Sequence, residues 1–317
     1  MRKSEADCTV GRAAERRFRF VLKGGTYVIC DFAVAHHNGG TTTFTGFPTM
    51  NIPASKGTAL VTGASSGIGA VYADRLARRG HDLILVARNE ERLRALATHL
   101  QAAHGRKATV VVADLAQRAG QQRVEALLRD DAAIDILVNN AGFGLAAPFL
   151  QSDLDRMEAM IDINVTALTR LAHAAASAFV ARGEGTIINI SSISAINVDV
   201  LNGVYSGTKA YVLALTQAMQ QELAGKGVRV QAVLPGPTAT GFWSVAGVEH
   251  KDLPQSWVMS AEDMVAASLA GLEQGEAVTI PSLQDGEEWL RFDAQRRALT
   301  QLLANQKPGP RYGLDRA

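Results

Sequence analysis

Cysteine is scarce in this chain: Cys8 and Cys30 are the only two in 317 residues. Neither a disulfide framework nor a cysteine-based metal site is available anywhere after residue 30. Charge of one sign is lacking as well, with 32 Lys and Arg against 31 Asp and Glu and a formal net charge of +1. That balance gives nucleic acid and anionic membrane surfaces nothing to be drawn to. There is no basic, aromatic-studded face of the kind that binds nucleic acid. No apolar run approaches the roughly 20 residues needed to cross a bilayer. What is present is 47% apolar and 20% charged, enough for a sizeable core.

Residues 1–49 differ in character from the rest of the chain. They open with scattered charges (Arg2, Lys3, Arg12, Arg16, Arg17, Arg19) and end in His36-His37-Asn38-Gly39-Gly40. A signal peptide is not visible, because the apolar part is short and interrupted by Lys23 and Asp31. Glu5, Asp7 and Glu15 disfavour a transit peptide. The histidine pair has no further ligands beside it and reads as a solvated loop, not a metal site. The segment is expected to be a poorly ordered extension, with Met50 a candidate for the true start. The cytoplasm is the expected location.

The stretch around which the rest is organised runs from Thr58 to Gly69, Thr-Ala-Leu-Val-Thr-Gly-Ala-Ser-Ser-Gly-Ile-Gly. A short apolar strand leads into a turn holding Gly63, Gly67 and Gly69, and a helical pattern comes directly after it. Glycines allow a tight turn and close approach to a ligand, and the helix start offers free N–H groups and a positive dipole end. Ser65, Ser66 and Ile68 complete a turn suited to a phosphate. From here strands and helices alternate. Strands are expected at 58–62, 83–87, 109–113, 134–139, 186–190, 229–234 and 277–280, and helices at 68–79, 90–103, 117–129, 152–182, 205–224 and 261–273. The strands are rich in Val, Ile and Leu without polar alternation, as in sheets covered on both faces. Right-handed crossovers then give an α/β fold, a Rossmann-type doubly wound parallel sheet of seven strands in a single domain over residues 50–282. Residues 283–317 are expected to add a last helix and a frayed tail.

In such a sheet a dinucleotide lies across the carboxyl ends of the strands, its adenosine ribose near the end of the second. There the sequence is Ala87-Arg88-Asn89, with no acid for a ribose 2′-hydroxyl and a guanidinium suited to a 2′-phosphate. NADP(H) is therefore expected ahead of NAD(H). Asp114-Leu115 comes after the third strand and can meet the adenine. Asn140-Ala141-Gly142 comes after the fourth, where small residues let the backbone approach the cofactor.

Tyr205 and Lys209 stand four apart at the start of the long fifth helix, which puts phenol and ammonium on one face. A nearby ammonium favours the phenolate, so the tyrosine pKa is expected to fall towards the working range. Tyr205 is then a candidate general acid for an oxygen receiving a hydride, and the base in reverse. Ser192, at the end of the preceding strand, can hold the same oxygen.

Taken together, these motifs resemble the short-chain dehydrogenase/reductase family over about residues 57–282. The glycine motif stands as Thr62-Gly63-Ala64-Ser65-Ser66-Gly67-Ile68-Gly69 and is followed by Asn139-Asn140-Ala141-Gly142. Asn164 matches the asparagine that in that family helps hold a water linked to the active-site lysine, and Ser192, Tyr205 and Lys209 match the rest of the tetrad. Pro235-Gly236-Pro237-Thr238-Ala239-Thr240 resembles the segment around the nicotinamide. The resemblance implies that Lys209 both tunes Tyr205 and binds the nicotinamide ribose. It implies an oxidoreductase interconverting a ketone or aldehyde and an alcohol, and a homodimer or homotetramer assembled through the long helices.

Loops at 143–149, 193–204 and 241–257 lie just past the strands that carry these residues. They are largely apolar with few cationic side chains, which points to a small-molecule carbonyl or alcohol with a hydrophobic body rather than a phosphorylated or strongly anionic substrate. The rival reading is a non-catalytic NADPH-binding sensor or scaffold, which would be expected to have lost the serine, tyrosine or lysine.

Overall fold

Apolar runs in the computed structural model pair into one parallel sheet of seven strands, with helices on both faces. The structure describes residues 17–21, 27–31, 57–199, 201–248 and 250–314. The expected start at Met50 and the histidine pair lie outside the described residues. Within the N-terminal extension, β1 (Arg17–Val21) pairs antiparallel with β2 (Tyr27–Asp31).

The main body alternates β3 (Thr58–Thr62), α1 (Gly67–Arg78), β4 (Asp82–Ala87), α2 (Glu90–His104), β5 (Ala108–Val112), α3 (Arg118–Asp130) and β6 (Ile134–Asn139). It continues through α4 (Leu154–Ile161), α5 (Leu168–Arg182), β7 (Gly185–Ile190), α6 (Gly203–Glu222), β8 (Val228–Val233), α7 (Phe242–Ala246), α8 (Ala261–Gln274), β9 (Val278–Thr279) and α9 (Gly286–Ala298). The strand order is β5-β4-β3-β6-β7-β8-β9. The direction of winding therefore reverses between β3 and β6, where a crevice opens at the carboxyl edge.

Side chains alternate across each strand, and both faces are apolar. Ala59, Val61, Leu83 and Leu85 pack beneath α1, α2 and α8, whose Tyr72, Leu76, Leu93 and Leu269 are buried. Leu60, Ile84, Val86 and Leu137 pack against Val124, Leu128, Leu171 and Phe179 of α3 and α5. No helix among the described residues is long and apolar enough to cross a membrane.

The expected strands lie within two residues of the observed ones. The long helix expected over 152–182 is not continuous. A 3-10 turn (Phe149–Gln151) comes first, and α4 begins after Asp153, whose carboxylate accepts from the Arg156 amide at 2.9 Å. A π-helical turn, Asp162–Ala167, then separates α4 from α5. Such a turn rotates the helix beyond it and recurs at functional sites. Here it carries Asn164.

Candidate active site

One cleft of about 680 Å³ runs along the carboxyl edge of the sheet and collects residues from six strand ends. Gly63, Ser65, Ser66, Gly67 and Ile68 line it after β3, Arg88 after β4, Asp114 and Leu115 after β5, and Asn140, Ala141 and Gly142 after β6. Ser192 lines it after β7, Tyr205 and Lys209 from α6, and Pro235, Gly236, Thr238 and Thr240 after β8. Two of the expected residues, Gly69 and Asn164, stand behind its walls.

The glycine turn is a backbone cradle. Gly63 and Gly67 have φ of 65° and 54°, where a side chain is strained. A Cβ on Gly63 would meet Asn140 Nδ2 at 2.7 Å. Asn140 Nδ2 donates to Thr62 O at 2.8 Å, and the Asn140 and Ala141 amides donate to Thr62 Oγ1 at 2.9 and 3.0 Å. These bonds lock the turn after β3 to the end of β6. Gly69 serves packing rather than the cleft, since a Cβ there would lie 2.4 Å from Gly63 O.

Helix α1 begins at this cradle with Ser66 as its N-cap. Its side chain makes no cap bond, and the first turn holds no acid. By contrast α2 is capped by Asn89 and starts with Glu90 and Glu91, and α8 is capped by Ser260 and starts with Glu262 and Asp263. The positive end of α1 is thus left without an internal anion, which suits a phosphate at this point.

At the β4 end Arg88 is exposed, and Arg92 lines the same wall. In sequence Arg92 reads as one more surface arginine. The signal that could have found it is a spacing of four from Arg88 across the start of α2. No carboxylate other than Asp114 lines the cleft among the described residues.

In the chemical centre Tyr205 is buried, and Ser192 lines the cleft with it. Ser192 Oγ accepts from the Ser194 amide at 3.1 Å and donates to Ser194 Oγ at 3.2 Å. Lys209 Nζ lies 5.7 Å from the Tyr205 ring centroid and donates to Ile190 O at 3.0 Å. The expected fall in the tyrosine pKa is not what this pocket produces. Burial pushes Tyr205 up to about 12, partly offset by the neighbouring Ser192 hydroxyl, and lowers Lys209 to about 8. Desolvation outweighs the ammonium because both groups lie out of water. At neutral pH the phenol therefore holds its proton.

Asn164 is buried with its amide fully engaged. Oδ1 accepts from the Phe143 amide at 3.1 Å, while Nδ2 donates to Phe143 O at 2.9 Å and to Thr208 Oγ1 at 3.1 Å. It staples the loop after β6 to α6, one residue from Lys209. The side-chain amide has no bond to Lys209 itself.

Phe242 of α7 covers the tyrosine, ring centroids 5.8 Å apart, and a Cβ on Gly144 would meet Phe242 Cζ at 2.6 Å. Helix α7 is tied down by Ala146 N donating to Ala246 O at 3.0 Å and by Arg156 Nη2 donating to Val245 O at 3.1 Å. Arg156 also lines the cleft. Sequence reasoning misses it, because Val245 lies 89 positions away.

Residues 57–249 match the short chain dehydrogenase family. The chain belongs to that family. A short-chain dehydrogenase from Sphingobium yanoikuyae, solved in complex with NADPH, is 44% identical with a TM-score of 0.78, over 80% of this chain and 98% of that one. The bulky-bulky ketone specific alcohol dehydrogenase from Comamonas testosteroni is 40% identical with a TM-score of 0.75, over 81% of this chain and 99% of that one. Serine 3-dehydrogenase of Agrobacterium fabrum is 38% identical over 189 residues, 59% of this chain and 74% of the relative. As a short-chain dehydrogenase the chain is an oxidoreductase acting on CH–OH groups, and the Rossmann-type fold is that of its structural neighbours.

Proposed function

We propose that this short-chain dehydrogenase uses NADP(H) to interconvert a ketone or aldehyde and an alcohol on a small molecule with a hydrophobic body, with Tyr205 as the general acid and base. The observation that carries the reading is the meeting of Ser192, Tyr205 and Lys209 in the same cleft as the glycine cradle. The residues at 63–68 and 235–240 would hold the dinucleotide, which would supply or accept the hydride of the reaction. The chain's own residues handle the oxygen. Ser192 and the Tyr205 hydroxyl both donate towards it, and Tyr205 gives up its proton as charge builds. A phenol held protonated by burial is set for that donation. Lys209, on the same helix face, stabilises the phenolate left behind.

The cradle at Gly63–Ile68 and the uncapped start of α1 suit the pyrophosphate. Arg88 and Arg92 suit a 2′-phosphate, and the NADPH complex of the Sphingobium relative supports that choice. Arg88→Ala should raise the KM for NADPH by about tenfold or more, with little change for NADH; equal changes would sink the assignment. The apolar wall of Phe143, Ile163, Phe242 and Val245 supports a hydrophobic substrate, as does the relative named for bulky-bulky ketones. The test is a panel of bulky ketones, aldehydes and secondary alcohols followed by NADPH absorbance, with NADH in parallel. Turnover of bulky ketones with NADPH is expected; none with any compound would favour a non-catalytic NADPH-binding protein.

A further inference from the structure

The substrate end of the cleft carries one charged side chain among apolar neighbours. Phe143, Ala159, Ile163, Leu201, Phe242 and Val245 line it, and Arg156, exposed in the first turn of α4, lines the same cleft. Other charged groups on the cleft wall lie elsewhere: Arg88, Arg92 and Asp114 at the ends of β4 and β5, and Lys209 in the chemical centre. Among the described residues of the cleft wall, four cations therefore stand against one carboxylate, Asp114, which follows β5.

Among the described residues Arg156 forms no ion pair with a carboxylate. Its one side-chain hydrogen bond among the described residues goes from Nη2 to the uncharged Val245 carbonyl. A guanidinium carries five N–H donors in a planar fork, so most of them stay free for an acceptor. A carboxylate is the acceptor that fits this fork best, through two parallel charge-assisted bonds.

We propose that Arg156 anchors a carboxylate on the substrate, at the end remote from the reacting carbonyl. The substrate class is then an oxo acid, or the matching hydroxy acid, whose apolar middle separates the two groups. This rests on the oxidoreductase reading and narrows it. The apolar walls take the body of the molecule, Ser192 and Tyr205 take the carbonyl oxygen, and Arg156 fixes the far end. Because Arg156 also holds the Val245 carbonyl of α7, a bound carboxylate would meet the helix that covers Tyr205.

The test compares each of three oxo acids with its own methyl ester, so that only the charge differs: 4-oxopentanoate, 6-oxoheptanoate and 5-oxo-5-phenylpentanoate. The readout is the ratio of kcat/KM for acid over ester, with NADPH saturating. For at least one pair the native enzyme should favour the acid by about tenfold or more, the difference residing in KM. Arg156→Met should bring that ratio to about one, Arg156→Lys should keep part of it, and Arg156→Glu should invert it. A role limited to tying down α7 would slow acid and ester alike and leave the ratio untouched, which would overturn the proposal. Ester turnover without acid preference in any pair overturns it while leaving the oxidoreductase reading in place. Turnover of neither form of any pair, with bulky ketones from the wider panel still reduced, also overturns the anchor alone; failure of that panel as well overturns both.

Discussion

Tyr205 and Lys209 show how burial and proximity compete at single residues. Spacing alone says that the ammonium should ease the proton off the phenol, and it does not report how dry the site is. In the folded chain burial dominates, with Tyr205 raised to about 12 and Lys209 lowered to about 8. The lysine leaves a mark on stability. Its folded pKa lies below the 10.5 of an ordinary lysine, so between about pH 8 and 10.5 the unfolded chain holds a proton that the folded chain has released. Stability must rise with pH across that window. Above pH 10 Tyr205 acts in the opposite sense, because the unfolded phenol then ionises first. Relative to Lys209→Met, the native protein should gain on the order of 2 kcal/mol between pH 8 and pH 10, measured by urea unfolding. A difference that stays flat across those pH values would refute the burial of the charge.

Among elements, the break between α4 and α5 is the one that the pattern of apolar residues hid. Residues 152–182 read as a continuous helix, since no Gly or Pro interrupts them before Gly183. The π turn at Asp162–Ala167 is fixed by long-range bonds from Asn164 to Phe143 and Thr208, 21 and 44 positions away. Those partners belong to the fold and not to the local sequence. The strands were legible because apolar residues run unbroken through 59–61, 83–86 and 136–138, and the glycine cradle because its backbone demands are local. Arg156 was not legible for the same reason as the π turn. Asn164→Leu keeps the volume but strands the Phe143 amide and carbonyl inside the protein. It should cost about 2–4 kcal/mol of stability, read by chemical denaturation, and lower kcat more than it changes NADPH binding. A variant as stable and active as the parent would show that the staple holds nothing.

At the scale of the whole molecule, the net charge of +1 hides an uneven distribution. Cations gather on the cleft wall, where a phosphate-bearing cofactor is expected, while the outer surface is mixed. Large apolar side chains also lie exposed: Phe149, Leu150 and Leu154 before and within α4, and Leu290 and Phe292 on α9. Exposed apolar surface of this kind marks association, and we infer a homodimer or homotetramer from it. Light scattering after size exclusion should give a mass of at least twice the 33.7 kDa chain. A monomer would leave these side chains unexplained. The central claim, however, concerns chemistry, and Tyr205→Phe tests it most directly. With NADPH and a bulky ketone turned over by the native enzyme, the variant should lose roughly a thousandfold in kcat. Its NADPH dissociation constant, measured by titration, should stay within about threefold, because the lost hydroxyl acts mainly in the transition state. Near-native turnover by the phenylalanine variant would contradict the role given to Tyr205.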